Sequence, residues 1–328
     1  MSGASTTDAV TDAALARETK SDRTLHALIF AGLAIAVAIA PFLLYPVLVM
    51  KILCFALFAL AFNLLLGYGG LLSFGHAAFF GMAGYVCAYA AKVWGLTPEL
   101  AILCGTAVSA LLGFVLGSLA IRRQGIYFAM ITLALAQMIY FISLQAKFTG
   151  GEDGIQGVPR GKLFGLVDLS SDLALYAVTA VIFFAGFLAI YRIIHSPFGQ
   201  VLRAIRDNEP RMISLGYRVG RYKLIVFVLS ATIAGLAGST KALVFQLASL
   251  TDVHWTMSGE VVLVTLVGGM GTVFGPVAGA AVIVAMETYL AQFGASVMIM
   301  QGSVFVVCVM LFREGIVGRL ARLFRVSL

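Results

Sequence analysis

Eight polar side chains stand inside apolar stretches of this sequence: Asn63, Ser73, His76, Gln137, Lys241, Gln246, Glu260 and Glu287. A central Asp, Lys or Arg in a lipid-embedded helix costs about 2.5–3.5 kcal/mol to insert, so each such group either answers a hydrogen-bonding need inside the protein or serves a polar solute. Glu260, in WTMSGEVVLVTLVGG, is the sharpest case. It reads either as a first-turn carboxylate favoured by the helix dipole, near the outer membrane boundary, or as a pathway or gate residue. His76 opens a helix after a Gly-rich break and reads as a structural hydrogen-bonding group or a substrate contact. With Asn63, Ser73, Gly69, Gly70, Gly268 and Gly269 these residues form a candidate translocation path, in which broken helices offer backbone groups to a charged solute.

Catalytic chemistry has no visible constellation. The chain lacks G-x-x-x-x-G-K-[ST], H-E-x-x-H and G-x-S-x-G, and its four histidines, His26, His76, His195 and His254, are scattered. No catalytic residue, metal ligand or cofactor is therefore assigned. GGMGTVFG at 268–275 contains a G-x-G but follows no strand, and it reads as helix packing through small residues. Cys54, Cys87, Cys104 and Cys308 lie in apolar segments without a C-x-x-C pair and read as packing residues. Ser109, Gly113 and Gly117 recur every four residues, a stripe that lets a neighbouring helix approach closely.

The elements that must position these groups follow from composition. Of 328 residues 61% are hydrophobic and 11% charged, whereas a soluble domain carries about 25% charged residues. The expectation is an all-α polytopic integral membrane protein of about ten transmembrane helices, some broken at Gly-rich points. Spans are expected at 25–45, 46–66, 73–92, 98–121, 126–148, 172–195, 224–246, 255–274, 276–293 and 296–313. Residues 1–24 read as a disordered cytoplasmic tail, 25–313 as the transmembrane domain and 314–328 as a basic cytoplasmic tail.

Charge fixes an expected orientation. Arg122 and Arg123, the loop 196–223 and the basic tail share one side, while Glu152, Asp153, Asp168 and Asp172 outweigh Arg160 and Lys162 on the other. The excess of bases places the first side, and both termini, in the cytoplasm. Trp94 and Trp255 then fall near the outer boundary. The net charge of +7 is spread beside apolar spans, not over a basic face with interleaved aromatics, which argues against a nucleic-acid partner.

Within the loop, Pro197 and Gly199 end the preceding span, and Val201, Leu202 and Ile205 share one face beside Arg203 and Arg206. Asp207 and Asn208 are candidate N-caps, Pro210 suits a first helical turn, and Gly216 closes a second short helix. Two capped amphipathic helices exceed what a charge anchor needs, so the loop reads as a docking surface for a cytoplasmic partner. There is also an internal echo. GYGGLLSFGHAA at 67–78 aligns without gaps with VGGMGTVFGPVA at 267–278, through either compositional coincidence or duplication of a transporter core.

Four stretches carry a family likeness: NLLLGYGGLLSFGHAAFFGMAGY (63–85), FTGGEDGIQGVP (148–159), SPFGQVLRAIRDNEPRMISLGYRVGRYKLIVFVLSATIAGLAG (196–238) and VHWTMSGEVVLVTLVGGMGTVFGPVAGA (253–280). Together with FREGIVG (312–318) they resemble the M-type inner-membrane permease of bacterial branched-chain amino-acid (LIV-type) ABC importers, over residues 46–318. The resemblance implies a bacterial inner-membrane protein paired with a second homologous permease. Two cytoplasmic ATP-binding subunits would dock below it, and a periplasmic substrate-binding protein would deliver cargo above. It also implies coupling to the ATPases through Gly199, Arg203, Ala204, Arg206, Asp207, Asn208, Glu209 and Gly216. The E-A-A…G coupling motif of ABC importers is only loosely met by EPRMISLG, with Pro210-Arg211 in place of Ala-Ala. Urea or short amides stand as alternative cargo. A stand-alone secondary transporter is the further alternative, and it would depend on Glu260 and Glu287 for ion coupling.

Overall fold

The computed structural model describes residues 28–165 and 167–290, positions 299, 302, 303, 306 and 310, and residues 315–323. Its first helix, α1, is Leu28–Leu43. The chain continues through α2 (Pro46–Asn63), which runs on into a π-helical turn at Leu64–Tyr68, then α3 (His76–Lys92), α4 (Pro98–Ala120) and α5 (Ile126–Gln145). Next come α6 (Asp172–Ile194), the short pair α7 (Pro197–Asp207) and α8 (Glu209–Ser214), and the long α9 (Val219–Phe245). The last are α10 (Trp255–Gly268), α11 (Gly275–Leu290) and α12 (Gly315–Leu323). Five stretches, among them α2 with its π-turn, are long and apolar enough to cross a membrane, and α1, α10 and α11 are shorter apolar helices. The protein is a polytopic all-α membrane protein.

Local signals explain the boundaries. Prolines occupy the first turns of α2, α4, α7 and α8, where a missing N–H costs nothing. The Ser171 hydroxyl accepts from the Ala174 N–H to cap α6, and Gln246, in the left-handed region at φ 53°, ends α9. Two boundaries depart most from expectation. α9 starts at Val219, five residues before 224, because Val219 is buried and Lys223 finds an acid in Glu209. α10 stops at Gly268 instead of 274, since Gly269 and Gly271 take φ of 123° and 78°. Residues 155–156 pair with 247–248, and 162–163 with 167–168, adding two small antiparallel ladders to an otherwise helical chain. The tail 1–24 and almost all of the span expected at 296–313 lie outside the described residues, while part of the basic tail forms α12.

α2 and α9 form the centre, and α3, α4, α6, α10 and α11 pack around them. Small residues set the α4–α9 contact, as the four-residue stripe requires. The Ser109 hydroxyl donates to the Ala231 carbonyl at 2.7 Å, and a Cβ on Gly113 would lie 2.5 Å from that of Ala231. Outward-facing apolar side chains, including Leu111 and Phe114 of α4, Met130 and Phe141 of α5 and Val181 of α6, are exposed, as a lipid-facing shell demands.

Candidate functional site

The loop at 196–223 folds into a hairpin of α7 and α8 with a core of its own. Ile205, Met212 and Val219 pack together beneath Val201, Ala204 and Tyr222, and Phe198 stacks on Tyr222 at 5.5 Å. Ser196 accepts from the Gly199 N–H at 3.3 Å to start α7, and Asn208 accepts from the Arg211 N–H at 3.1 Å to start α8. Gly216, at φ 85°, turns the chain out of α8. The Lys223 ammonium, only 8% exposed, pairs with Glu209 at 2.7 Å, and Gln124 donates to the same carboxylate at 3.0 Å. The hairpin is therefore a rigid body anchored to α9.

Its inner face reaches the first Gly-rich break. Arg206 donates from Nη1 to the Gly67 carbonyl, and the Arg203 guanidinium lies 5.0 Å over the Tyr68 ring. Gly67 and Tyr68 belong to the π-turn in which α2 loses its regular hydrogen-bond ladder. Gly70, at φ 67°, sits against the Arg206 side chain. The sequence-expected coupling residues thus divide: Arg203 and Arg206 grip the break, Gly199 is buried under α6, Ala204 is half-buried, and Asp207 and Asn208 are exposed. Ile213, Leu215 and Tyr217 of the outer face are also exposed. Sequence reasoning passed over these three, although apolar side chains in the longest polar run of the chain are the signal that marks them.

One turn before the break, Asn63 joins it to the second Gly-rich segment. Its Nδ2 donates to the Thr272 carbonyl and its Oδ1 accepts from the Gly271 N–H, both at 2.9 Å. At Gly67 a Cβ would lie 2.4 Å from Asn63 Oδ1 and 2.7 Å from the Gly271 nitrogen. The two echoing segments therefore meet, each as a break between helices: Tyr68 to His76 in one, Gly268 to Gly275 in the other. Gly69 follows the π-turn, and Gly268 and Gly269 end α10.

Ser73 and His76 sit deeper. Both are fully buried; Ser73 accepts from the Gly75 N–H at 3.2 Å, and His76 Nε2 shares a 2.8 Å hydrogen bond with Ser230. Phe62, Phe79 and Phe227 surround the imidazole edge-on, a setting that serves structural hydrogen bonding.

Of the two readings of Glu260, the first-turn one does not hold: the residue is the sixth of α10, beyond the first turn. α10 begins part-way along α3: Asp252 and Val253, just before it, pack on Gly81, eleven residues, or about 16 Å, from the Lys92 end of α3. Trp255, opening α10, is therefore not level with the α3 terminus that carries Trp94. Lys241 holds both oxygens of Asp252 at 2.6 Å, and Lys51 pairs with Glu287 at 2.9 Å. Among the described residues no group of three or more His, Cys, Asp or Glu could hold a metal ion.

A lipid-embedded helical body with a rigid polar hairpin wired to its broken helices defines a membrane permease. Residues 44–312 match the family described as the permease component of the branched-chain amino acid transport system, and the chain belongs to that family. It is 27% identical over 285 residues to the high-affinity branched-chain amino acid transport system permease protein LivM of Salmonella typhimurium (strain LT2), covering 80% of this chain and 67% of that one. LivM of Escherichia coli (strain K12) matches to the same extent. The ribose import permease protein RbsC of Bacillus subtilis (strain 168) is 26% identical over 239 residues, 68% of this chain and 70% of that one.

Proposed function

We propose that this permease carries branched-chain amino acids (leucine, isoleucine and valine) across a bacterial inner membrane within an ATP-driven importer. Its partners would be a second homologous permease, two cytoplasmic ATP-binding subunits and a periplasmic binding protein. The observation that carries the coupling is the contact of Arg206 with Gly67. A movement imposed on the hairpin reaches the π-turn directly, and Asn63 passes it to the 269–274 segment between α10 and α11. The exposed face of Ile213, Leu215 and Tyr217 offers the ATPases an apolar grip flanked by Arg211 and Arg218. The family match and the two LivM relatives favour amino-acid cargo over the sugar named for the ribose permease.

The test is reconstitution of the five-component complex in liposomes with ATP inside. Leucine accumulation that needs both ATP and the binding protein supports the reading. Uptake by this chain alone, driven by an ion gradient, overturns it.

A further inference from the structure

Away from the hairpin end of α9, five charged residues lie within the apolar body formed by α2, α9, the segment before α10, α10 and α11: Lys51, Lys241, Asp252, Glu260 and Glu287. Four of them form two pairs. Lys241 and Asp252, with side chains 13% and 7% exposed, are joined bidentately, while Lys51 and Glu287, at 24% and 39%, share one 2.9 Å contact. Both lysines are thereby used. Glu260 feels the charges of both pairs, yet its Oε1 is buried and meets no hydrogen-bond donor among the described residues.

A carboxylate oxygen buried in low dielectric without a donor is costly and is kept where something meets it. With all five groups ionised the cluster is one positive charge short of neutral. Its position fits a waypoint: two residues earlier in α10, the Ser258 hydroxyl accepts from the Ala77 N–H at the start of α3, next to the break through which α7 acts.

We propose that Glu260 is a cargo-binding residue that receives the α-ammonium group of the transported amino acid partway along the path. Oε1 is sealed in this conformation, so the cargo reaches it only when α10 and its neighbours part. The site selects for a cationic nitrogen and against solutes that lack one, such as sugars and urea. This inference rests on the amino-acid reading above.

The experiment compares the native complex with Glu260→Gln and Glu260→Asp in proteoliposomes, measuring [³H]leucine uptake and ATP hydrolysis, with assembly checked by size-exclusion chromatography. The expected result is uptake per ATP at least tenfold lower in Glu260→Gln, with Glu260→Asp within about threefold of native. Glu260→Gln within twofold of native overturns the inference, and this is also the result if Glu260 holds only a proton, because the amide mimics the neutral acid. Equal loss in both variants within an assembled complex overturns it too, since shape and not charge would then matter. A native complex that imports ribose or urea but no leucine defeats the amino-acid reading itself, and this inference with it.

Discussion

Arg206 reaches across 139 positions of sequence to donate to the carbonyl of Gly67. The bond ties the polar hairpin to the one turn of α2 where the regular ladder is relaxed, so force applied at α7 arrives where the helix yields most easily. Reversing charge at both Arg203 and Arg206 to Glu removes this bond and the stacking of Arg203 on Tyr68. Membrane insertion should be unaffected, while leucine transported per ATP falls at least tenfold. Parallel uptake and phosphate-release assays check this, and an unchanged ratio would remove both residues from the coupling role.

Gly67 leaves no room for a side chain. In Gly67→Ala the methyl group meets Asn63 Oδ1 at 2.4 Å and the Gly271 backbone at 2.7 Å, so Asn63 must release the 271–272 segment. Overpacking of this kind costs about 1–3 kcal/mol. The expected outcome is a lower melting temperature in detergent, measured by tryptophan fluorescence, together with loss of transport.

Lys223 and Glu209 anchor the hairpin, and they are buried unequally, at 8% and 23% side-chain exposure. Removing the acid alone strands a buried ammonium, which costs about 3–5 kcal/mol in a fully dry site and about 2 kcal/mol with Glu209 partly solvated. Glu209→Ala should therefore destabilise more than the double variant Glu209→Ala/Lys223→Met. Thermal denaturation of the two proteins and the wild type gives the comparison, and equal losses would mean that the pair does not anchor α8.

The α4–α9 interface makes a separate claim on stability. Gly113→Leu pushes a side chain into Ala231, whose Cβ would lie 2.5 Å from the new one, and should cost about 1–3 kcal/mol. Leu111→Ala, on the exposed side of the same helix, should shift the melting temperature much less.

The sequence made most spans legible because they are long apolar runs, and the hairpin because Asn208 and Gly216 are strong local caps, whereas Ser196 caps α7 unforeseen and Asp207 ends α7 instead of capping α8. Local chemistry could not show which partners distant residues choose. Lys51 finds Glu287 across 236 positions, and Asn63 finds Gly271 across 208. The echo aligned Gly67 with Val267, but Gly67 packs on Gly271, four positions further on. The place of Glu260 in its helix was hidden too, since an apolar run reads as a full span even when, as in α10, the helix is short and starts part-way along its neighbour α3.

The central claim is that the α7–α8 hairpin is the part that the ATPases hold. A single cysteine at Ile213, which is 57% exposed, in a background with Cys54, Cys87, Cys104 and Cys308 replaced by Ala, can be probed with a membrane-impermeant maleimide on vesicles of each orientation. The account predicts labelling only from the cytoplasmic face, and protection once the ATP-binding subunits are bound. Labelling from the periplasmic face, or no protection by the ATPases, would contradict it.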